Sequence, residues 1–286
     1  MSRGGRRMDA APSAGGAEAA ASSPTDLARG CRRMEGRNAL LTAAARGLGL
    51  ASALRLAAEG AQVWITDRDE TALAEAAREA AHGGLALRTL RMDSSDPRDV
   101  AARVGEVIAA AGALDVLVNN AGGSLHTPYR FGDESDEDWK RVLDLNLMGA
   151  VWASRAALPA MVARGYGRIV NFGSKAGRFG SLIAGPNYAA AKGAIASLTR
   201  QMAMEYGPRG ITVNCICPGV VMTERTRALW AERRTPQERA QVLQDIPLRR
   251  HCEVEDAAAA VAFFASDDSA FVTGVTLDLN GGQAMA

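Results

Sequence analysis

The chain has 286 residues, of which 48% are hydrophobic and 23% are charged, and this composition is typical of a soluble globular protein with a substantial core. The formal net charge is +1, so electrostatics gives no case for binding nucleic acid or a membrane surface. No run of ~18 apolar residues is present, so we expect no membrane span. The cysteines and histidines lack the spacing of a metal site, so we expect no metal and a reducing, cytoplasmic location.

Residues 1–33 differ from the rest of the chain. They are rich in Ala, Gly, Ser and Arg, show no hydrophobic periodicity, and hold six arginines against three acidic residues. Such a segment buries too little apolar area to offset the entropy of ordering, so we predict a disordered tail. Met34 stands directly before the first predicted strand, which supports the hypothesis that Met34 is the true start and that one domain spans 34–286.

From Asn38 onwards, short apolar runs alternate with longer amphipathic segments. In chain order, the apolar runs predict strands at 39–41, 63–66, 85–92, 116–118, 168–172, 211–216 and 275–279. Between them, helices are predicted at 48–59, at 69–81, from Pro97, at 136–163, through Tyr188 to Tyr206 and at 254–264. Alternation of buried strands with helices is typical of a parallel sheet covered on both faces. The expected fold is therefore α/β: a single-domain, doubly wound Rossmann fold whose seven-stranded parallel sheet carries helices on both faces.

The first predicted strand leads into Thr42–Gly49, a glycine-containing loop that is followed at once by a helix. Glycines in this position let the backbone approach a pyrophosphate, which the helix N-terminus attracts. The second strand ends at Asp67, whose carboxylate accepts hydrogen bonds from an adenosine ribose and repels a 2′-phosphate, favouring NAD. Arg46 and Arg68 favour NADP instead, because either guanidinium pairs with a phosphate. The carboxylate weighs more, so NAD is the expected cofactor and NADP stays open.

Tyr188 and Lys192 are four residues apart on one predicted helix, and Ser174 precedes the tyrosine by fourteen residues. Residues spaced i and i+4 share a helix face, so the lysine ammonium lies beside the tyrosine phenol. A neighbouring cation favours the phenolate and lowers the pKa of a phenol from ~10 toward neutrality. The pair is therefore interpreted as a general acid/base, with the Ser174 hydroxyl holding the oxygen on which it acts. For the pair taken alone, a solvated lysine beside a half-buried tyrosine is the alternative.

Further motifs occur in a fixed order between residues 36 and 283. They are Asp93 after the third strand, Asn119-Asn120-Ala121-Gly122, Asn146 in Asn-Leu-Met-Gly, Pro218-Gly219-Val220-Val221-Met222-Thr223, Val272-Thr273-Gly274 and Asn280-Gly281-Gly282. Together with the glycine loop and the Ser174, Tyr188 and Lys192 set, these motifs resemble the short-chain dehydrogenase/reductases of the Tyr-x-x-x-Lys type. The resemblance implies an enzyme, a short-chain NAD(P)-dependent dehydrogenase/reductase that acts on CH–OH groups.

The resemblance also implies roles for individual residues. The implied catalytic residues are Asn146, Ser174, Tyr188 and Lys192, with Lys192 lowering the pKa of Tyr188 and Asn146 positioning a proton-relay water. The implied cofactor-binding residues are Thr42, Ala43, Arg46, Gly47, Leu48, Gly49, Asp67, Arg68, Asp93, Ser94, Asn120, Ala121, Gly122, Tyr188, Lys192, Pro218, Gly219, Val221 and Thr223. The residues expected at the substrate pocket are Ser124, His126, Ala184 and Trp230, the last of them in a mobile lid at about 223–246.

Two departures from the family pattern bear on function. Ala43 stands where the family has the first glycine of its loop, and a methyl group there strains the turn if φ is positive. We therefore expect altered cofactor affinity rather than lost binding. The spacing from Ser174 to Tyr188 is one residue longer than in many members, and we expect the extra residue within 180–186, beside the substrate pocket.

The expected function is NAD(H)-dependent interconversion of a secondary alcohol and a ketone by hydride transfer, with Tyr188 as general acid/base. An NADPH-dependent 3-oxoacyl-carrier-protein reductase is the alternative within the family, supported by Arg46 and the basic lid. A non-catalytic dinucleotide-binding sensor or scaffold is the alternative of another class, disfavoured because all four catalytic residues are present. The expected partner is a small alcohol or ketone, with no nucleic acid and no membrane, and the resemblance implies a homotetramer.

Overall fold

The computed structural model describes residues 31–181 and 184–285. The strands of that part of the chain are β1 (Asn38–Leu41), β2 (Gln62–Asp67), β3 (Leu87–Arg91), β4 (Val116–Asn119), β5 (Gly167–Phe172), β6 (Ile211–Pro218) and β7 (Thr276–Leu279). Its α-helices are α1 (Gly47–Ala58), α2 (Glu70–His82), α3 (Pro97–Ala111), α4 (Asp136–Leu143), α5 (Gly149–Arg164), α6 (Lys175–Phe179), α7 (Pro186–Tyr206), α8 (Glu224–Arg233), α9 (Pro236–Asp245) and α10 (Val254–Ala265).

The strands form one seven-stranded sheet in the order β3-β2-β1-β4-β5-β6-β7, and every pairing is parallel. The order runs outward in both directions from the neighbouring strands β1 and β4, so the chain changes direction across the sheet at that point. Crevices at such a switch point lie outside the carboxyl ends of the strands and are where open α/β sheets bind ligands. The doubly wound parallel fold expected from the sequence is confirmed.

The core lies on both faces of this sheet. Successive residues of a strand point to opposite faces, so Leu41 belongs to the same core cluster as Val261 of α10, whereas its neighbour Leu40 belongs to that of Met161 of α5. All four side chains are fully buried, and burial of a side chain of this size contributes about 1.5–3 kcal/mol. The central strands have continuous apolar sequences because neither of their faces is exposed to water.

The helix expected at 136–163 contains a break in its regular hydrogen bonding. Between α4 and α5, residues Asp144–Met148 form a π-helical turn, in which the Gly149 N–H bonds to the Asp144 carbonyl five residues earlier. Asn146 is at the centre of this turn and is almost completely buried. The predicted helix is thus correct in extent, and its wider turn brings Asn146 to the loop that follows β4.

Arg33, directly before β1, packs on the domain although the sequence assigns it to the tail. Its guanidinium donates to both carboxylate oxygens of Glu59, at 2.8 and 2.7 Å. The Glu59 carboxylate is fully buried and also accepts from Arg55 at 2.6 Å. Met34 is fully buried as well, and residues 1–30 of the predicted tail lie outside the described residues.

Within the described ranges, none of the helices combines the length and the apolar character needed to cross a bilayer.

Candidate active site

A cavity of about 1940 Å³ opens where the loops after β1, β2, β4, β5 and β6 come together. It brings together most of the residues to which the sequence assigns a role. Those that line it are Ala43, Arg46, Gly47, Leu48, Asp67, Arg68, Asp93, Ser94, Asn120, Gly122, Ser124, Ser174, Ala184, Tyr188, Lys192, Pro218, Gly219, Val221, Thr223 and Trp230. Residues far apart in the sequence thus form one continuous cleft at the expected edge of the sheet.

Five residues with expected roles do not line this cavity. Thr42 and Ala121 are buried behind it, where the Thr42 hydroxyl accepts the Asn120 and Ala121 N–H groups, both at 3.1 Å. Gly49 and Asn146 are buried as well and support the cavity from behind. His126 is exposed, with φ of 57°, and the structure does not bring it to the pocket where the sequence expected it.

The glycine loop is shaped by a left-handed turn at Ala43, whose φ is 49°. The Asn120 amide holds this turn by donating to the carbonyls of Thr42 and Ala43, at 3.1 and 2.8 Å. A Cβ at Gly49 would lie 2.6 Å from Ala44 Cα and 2.6 Å from the Asn120 amide nitrogen, so only glycine fits there. An L-residue with a Cβ adopts left-handed backbone angles only at a cost in free energy. Because φ at Ala43 is positive, the turn meets the condition for strain that the sequence analysis states.

The N-terminus of α1 is open toward the cavity. Its N-cap residue Arg46 makes no side-chain cap, and the first turn of the helix holds no acidic residue. The first N–H groups of a helix lack partners within the helix and carry a partial positive charge. A pyrophosphate fits this arrangement, since such helix ends bind phosphate oxygens.

At the end of β2, the Asp67 carboxylate accepts the Ala45 N–H at 3.4 Å and the Asp69 N–H at 3.2 Å. Asp67 is therefore held against the glycine loop. Arg46, which the sequence offered as a phosphate partner, instead pairs with Asp69 at 3.3 Å and with Glu75 at 3.5 Å. These acids place negative charge on this side of the cavity.

Ser174, Tyr188 and Lys192 meet on the other side of the cavity. Ser174 follows β5 and caps α6, its Oγ accepting the Ala176 N–H at 3.1 Å. Lys192 is almost completely buried, its Nζ donates to the Phe172 carbonyl at 2.8 Å, and it lies 5.9 Å from the centroid of the Tyr188 ring. The shared helix face expected for the Tyr188 and Lys192 pair is present.

Asn146 reaches this group through the backbone. Its amide donates to the carbonyls of Gly123 and Val142, both at 2.9 Å, and its Oδ1 accepts the Gly123 N–H at 2.9 Å. A Cβ at Gly122 would lie 2.7 Å from Asn146 Oδ1 and 2.8 Å from Lys192 Nζ. The absence of a side chain at Gly122 thus lets the lysine and the asparagine approach the loop after β4.

The short helix α6 and the long helix α7 touch backbone to backbone. A Cβ at Gly177 would overlap the Gly193 nitrogen and would lie 2.5 Å from the carbonyl carbon of Lys192. This pair of glycines fixes the distance between Ser174 at the start of α6 and Tyr188 on α7. Neither glycine carries an isolated sequence signal, because the requirement comes from the crossing of two helices.

Two thiols of β6 lie beneath Gly173, the residue before Ser174. Cys215 and Cys217 are fully buried with their sulfur atoms 3.8 Å apart, and a Cβ at Gly173 would overlap both. The hydrogen bond to Cys217, followed by burial, raises the pKa of Cys215, so this thiol stays protonated. Cys215 and Cys217 therefore act as small residues of the core.

The segment expected as a lid, 223–246, consists of α8 and α9. Trp230 of α8 is buried and packs edge-to-face on His251, with ring centroids 5.3 Å apart. Trp230 therefore anchors the lid, and it also lines the cavity, where the sequence analysis places it. Lys175 and Arg234 line the same cavity; Arg234 was expected there only as one arginine of the basic lid, and no sequence motif selects Lys175.

Comparison with known proteins agrees with this geometry. Residues 42–284 match a family model described as Enoyl-(Acyl carrier protein) reductase. An uncharacterized short-chain type dehydrogenase/reductase of Sinorhizobium fredii is 36% identical over 87% of this chain and 98% of its own length. The 3-oxoacyl-[acyl-carrier-protein] reductase FabG of Escherichia coli is 37% identical over 88% of this chain and 98% of its own length. An NAD⁺-bound xylitol dehydrogenase has a similar structure, with a TM-score of 0.80 and 33% identity over 87% of this chain and 99% of that one. The chain therefore belongs to the short-chain dehydrogenase/reductase family and is an oxidoreductase that acts on CH–OH or keto groups.

Proposed function

We propose that the protein is an NAD(H)-dependent oxidoreductase that interconverts a secondary alcohol and a ketone, with Tyr188 as the general acid/base. The observation that carries this proposal is the convergence of Ser174, Tyr188 and Lys192 on one cavity whose other end is an uncapped helix N-terminus. A nicotinamide cofactor, when bound, supplies or accepts the hydride. The protein positions the substrate oxygen and moves its proton.

In ketone reduction, the Tyr188 phenol donates its proton to the carbonyl oxygen, and in alcohol oxidation the phenolate accepts it. Ser174 Oγ accepts the Ala176 N–H, which leaves its own O–H available to donate to the same substrate oxygen. That bond strengthens as negative charge develops on the oxygen. Lys192, fixed by the Phe172 carbonyl, holds a positive charge beside Tyr188.

Asn146 is proposed to hold the water that relays protons from Lys192 to solvent. The two donors of its amide are already used by the Gly123 and Val142 carbonyls. We therefore place this role on the backbone of the π-helical turn, because the wider spacing of a π turn displaces carbonyls from the regular helical ladder.

We infer a preference for NAD over NADP from the charges around Asp67. A 2′-phosphate at ~4 Å from this carboxylate is repelled by up to ~4 kcal/mol at an effective dielectric constant of ~20. Of the two arginines that could offset that repulsion, Arg46 is already shared between Asp69 and Glu75, which leaves exposed Arg68 as the competing phosphate partner. Residues around Asp67 thus fit a ribose that carries two free hydroxyl groups.

Titration of the purified full chain with NADH and NADPH, followed by fluorescence, tests the cofactor preference. We expect NADH to bind at least about tenfold more tightly, and Asp67→Ser to reduce that preference by a similar factor. Asp133→Asn removes an exposed acid outside the cavity and serves as the matched control. Tighter binding of NADPH by the unmodified protein would refute the inference.

Turnover of a panel of secondary alcohols and ketones tests the catalytic assignment. Tyr188→Phe keeps the ring and removes the proton donor, so we expect kcat to fall by about 10²–10⁴ while NADH affinity is retained. Tight cofactor binding without turnover of any alcohol or ketone would instead favour the non-catalytic sensor or scaffold.

A 3-oxoacyl-carrier-protein reductase is the second candidate, because a relative of that name is 37% identical over nearly its whole length. It predicts preference for NADPH and turnover of 3-oxoacyl thioesters. A higher kcat/KM for oxidation of neutral secondary alcohols with NAD than for reduction of 3-oxoacyl thioesters with NADPH would exclude the 3-oxoacyl-carrier-protein reductase.

We also propose a homotetramer, as the family resemblance implies. A shallow groove between α5 and α7, lined by residues such as Leu158, Leu198 and Met202, is a surface on which copies can pack. Light scattering at micromolar concentration tests the assembly, and a monomeric mass would contradict it.

A further inference from the structure

Two cations at the substrate end of the cavity have no role in the mechanism above. Lys175 is the first residue of α6 and follows Ser174 directly, while Arg234 is the residue directly after α8. Both side chains line the cavity that contains Ser174 and Tyr188. They belong to different elements, so the fold, rather than the local sequence, brings them to the same space.

Neither cation has an anionic partner within the described residues. No carboxylate of that part of the chain lies within 4.0 Å of the Lys175 or Arg234 nitrogens, whereas Arg46, which lines the same cavity, pairs with Asp69 and Glu75. The Arg234 Nε is buried without a hydrogen-bond partner, and its guanidinium carbon lies 5.6 Å from the centre of the Trp230 ring. A buried guanidinium nitrogen without an acceptor destabilises the folded protein, so we expect a bound molecule to supply the acceptor.

The two cations also act on each other. Burial, followed by repulsion from Arg234, lowers the pKa of Lys175. The acids on this side do not cancel the charge: Asp245 is exposed and acts on Lys175 only from a distance, and the Glu238 carboxylate is used in the capping box of α9 with Thr235. Glu255, at the start of α10, also lines the cavity, but like the other described carboxylates it lies more than 4.0 Å from the nitrogens of both cations. Two like charges held together in a partly buried space raise the free energy of the folded protein unless an anion binds between them.

We propose that Lys175 and Arg234 form an oxyanion-binding subsite, so that the substrate is a ketone or secondary alcohol carrying a carboxylate or a similar small oxyanion. This inference rests on the proposed function. Adjacent residues have Cα atoms ~3.8 Å apart, so Lys175 reaches an anion only a few bonds from the oxygen that Ser174 holds. The planar guanidinium of Arg234 suits a two-oxygen group, which it binds through two parallel hydrogen bonds. A short oxo acid, or the corresponding hydroxy acid, meets both conditions.

The test compares substrates that differ only in charge. The purified full chain is assayed with its preferred nicotinamide cofactor on 4-oxopentanoate and 3-oxobutanoate and on their methyl esters. We expect kcat/KM to favour each acid over its ester by at least about tenfold, equivalent to ~1.4 kcal/mol. Lys175→Met and Arg234→Met should each reduce that acid-to-ester ratio by about tenfold or more. Because the ratio is taken within one variant, loss of folded protein does not change it.

Arg227→Met is the matched control, since Arg227 is an exposed arginine of α8 that does not line the cavity. It should keep the wild-type ratio. Replacing the carboxylate of the substrate by a sulfonate or a phosphonate distinguishes the kind of oxyanion that binds. A second readout needs no turnover: 4-oxopentanoate should raise the melting temperature of the wild-type protein with NAD⁺ present, a pair that cannot react, and should not raise that of Arg234→Met.

The failures of the two proposals are distinguishable. Turnover of the esters and of neutral ketones without preference for the acids, or with a preference that survives both substitutions, overturns the oxyanion subsite and leaves the oxidoreductase in place. No turnover of acids, esters or neutral ketones with either nicotinamide overturns the proposed function, and the subsite with it.

Discussion

The contact between Gly177 and Gly193 gives the sharpest test of how the catalytic group is positioned. Gly177→Ala adds one methyl group, which would lie 2.5 Å from the carbonyl carbon of Lys192 and 3.0 Å from Gly193 Cα. Non-bonded carbon atoms are comfortable at ~3.5–4.0 Å, so α6 must move about 1 Å away from α7. Because Ser174 begins α6 and Tyr188 is on α7, that movement separates the two groups that hold the substrate oxygen.

A misplacement of ~1 Å in a catalytic group costs roughly 10²-fold in rate. We therefore expect kcat of Gly177→Ala for the best secondary alcohol to fall about hundredfold, while the NADH dissociation constant changes by less than about threefold, because the glycine loop is distant from this contact. Overpacking also costs about 1–3 kcal/mol, which a thermal melt measures separately.

Gly105→Ala is the matched control for this change. Gly105 lies in the exposed part of α3 with nothing within 4 Å of an added Cβ, so the substitution should slightly stabilise the helix and leave kcat unchanged. A folded Gly177→Ala protein that turns over at the wild-type rate would show that the glycine contact does not set the Ser174 to Tyr188 distance.

Three further predictions concern stability. Ala43→Gly removes the strain of a left-handed alanine, ~1–2 kcal/mol, but gives the unfolded chain more conformational entropy, which costs ~0.4–1 kcal/mol. The melting temperature should therefore rise by about 1–3 °C, and a fall would show that the turn is unstrained. Arg33→Met leaves the buried Glu59 carboxylate with one arginine, so urea unfolding should show that the free energy of unfolding falls by about 1–3 kcal/mol. Arg32→Met, at an exposed ion pair, should leave the free energy of unfolding unchanged, and equal effects of the two substitutions would contradict a role for burial. Burial lowers the pKa of His251 below its usual 6.5, so on acidification the unfolded chain binds a proton before the folded protein does, and stability falls as pH drops below about 6.5. His251→Asn should make the melting temperature less dependent on pH between pH 5 and 6.5, and an unchanged pH profile would refute this.

Local sequence patterns predict most of the fold and the catalytic group. The apolar strand runs around Leu40 and Leu117 are buried on both faces, and this single cause fixes both their composition and their place in the sheet. The Tyr188 and Lys192 spacing follows from helical periodicity alone, which the tertiary structure does not alter.

Features that depend on contacts between distant elements were not predictable in the same way. The π-helical turn at Asn146 has no local signature, because the bonds that stabilise the Asn146 side chain include the loop at Gly123. Gly177 looks like any flexible residue until α7 is placed against it. His126 was expected in the pocket from its position in the chain, but a left-handed backbone turns it out to solvent.

Few of the described side chains of the lid are buried against the rest of the molecule. Helix α9 has no buried residue, and among the described side chains of the lid Trp230 in α8 and Ile246 directly after α9 are the buried ones. Segments with so few buried apolar contacts open at a free energy far below that of global unfolding. Mutations that reshape the lid therefore spare the stability of the sheet and the glycine loop, which leaves this part of the chain free to acquire new specificities while the catalytic group is conserved.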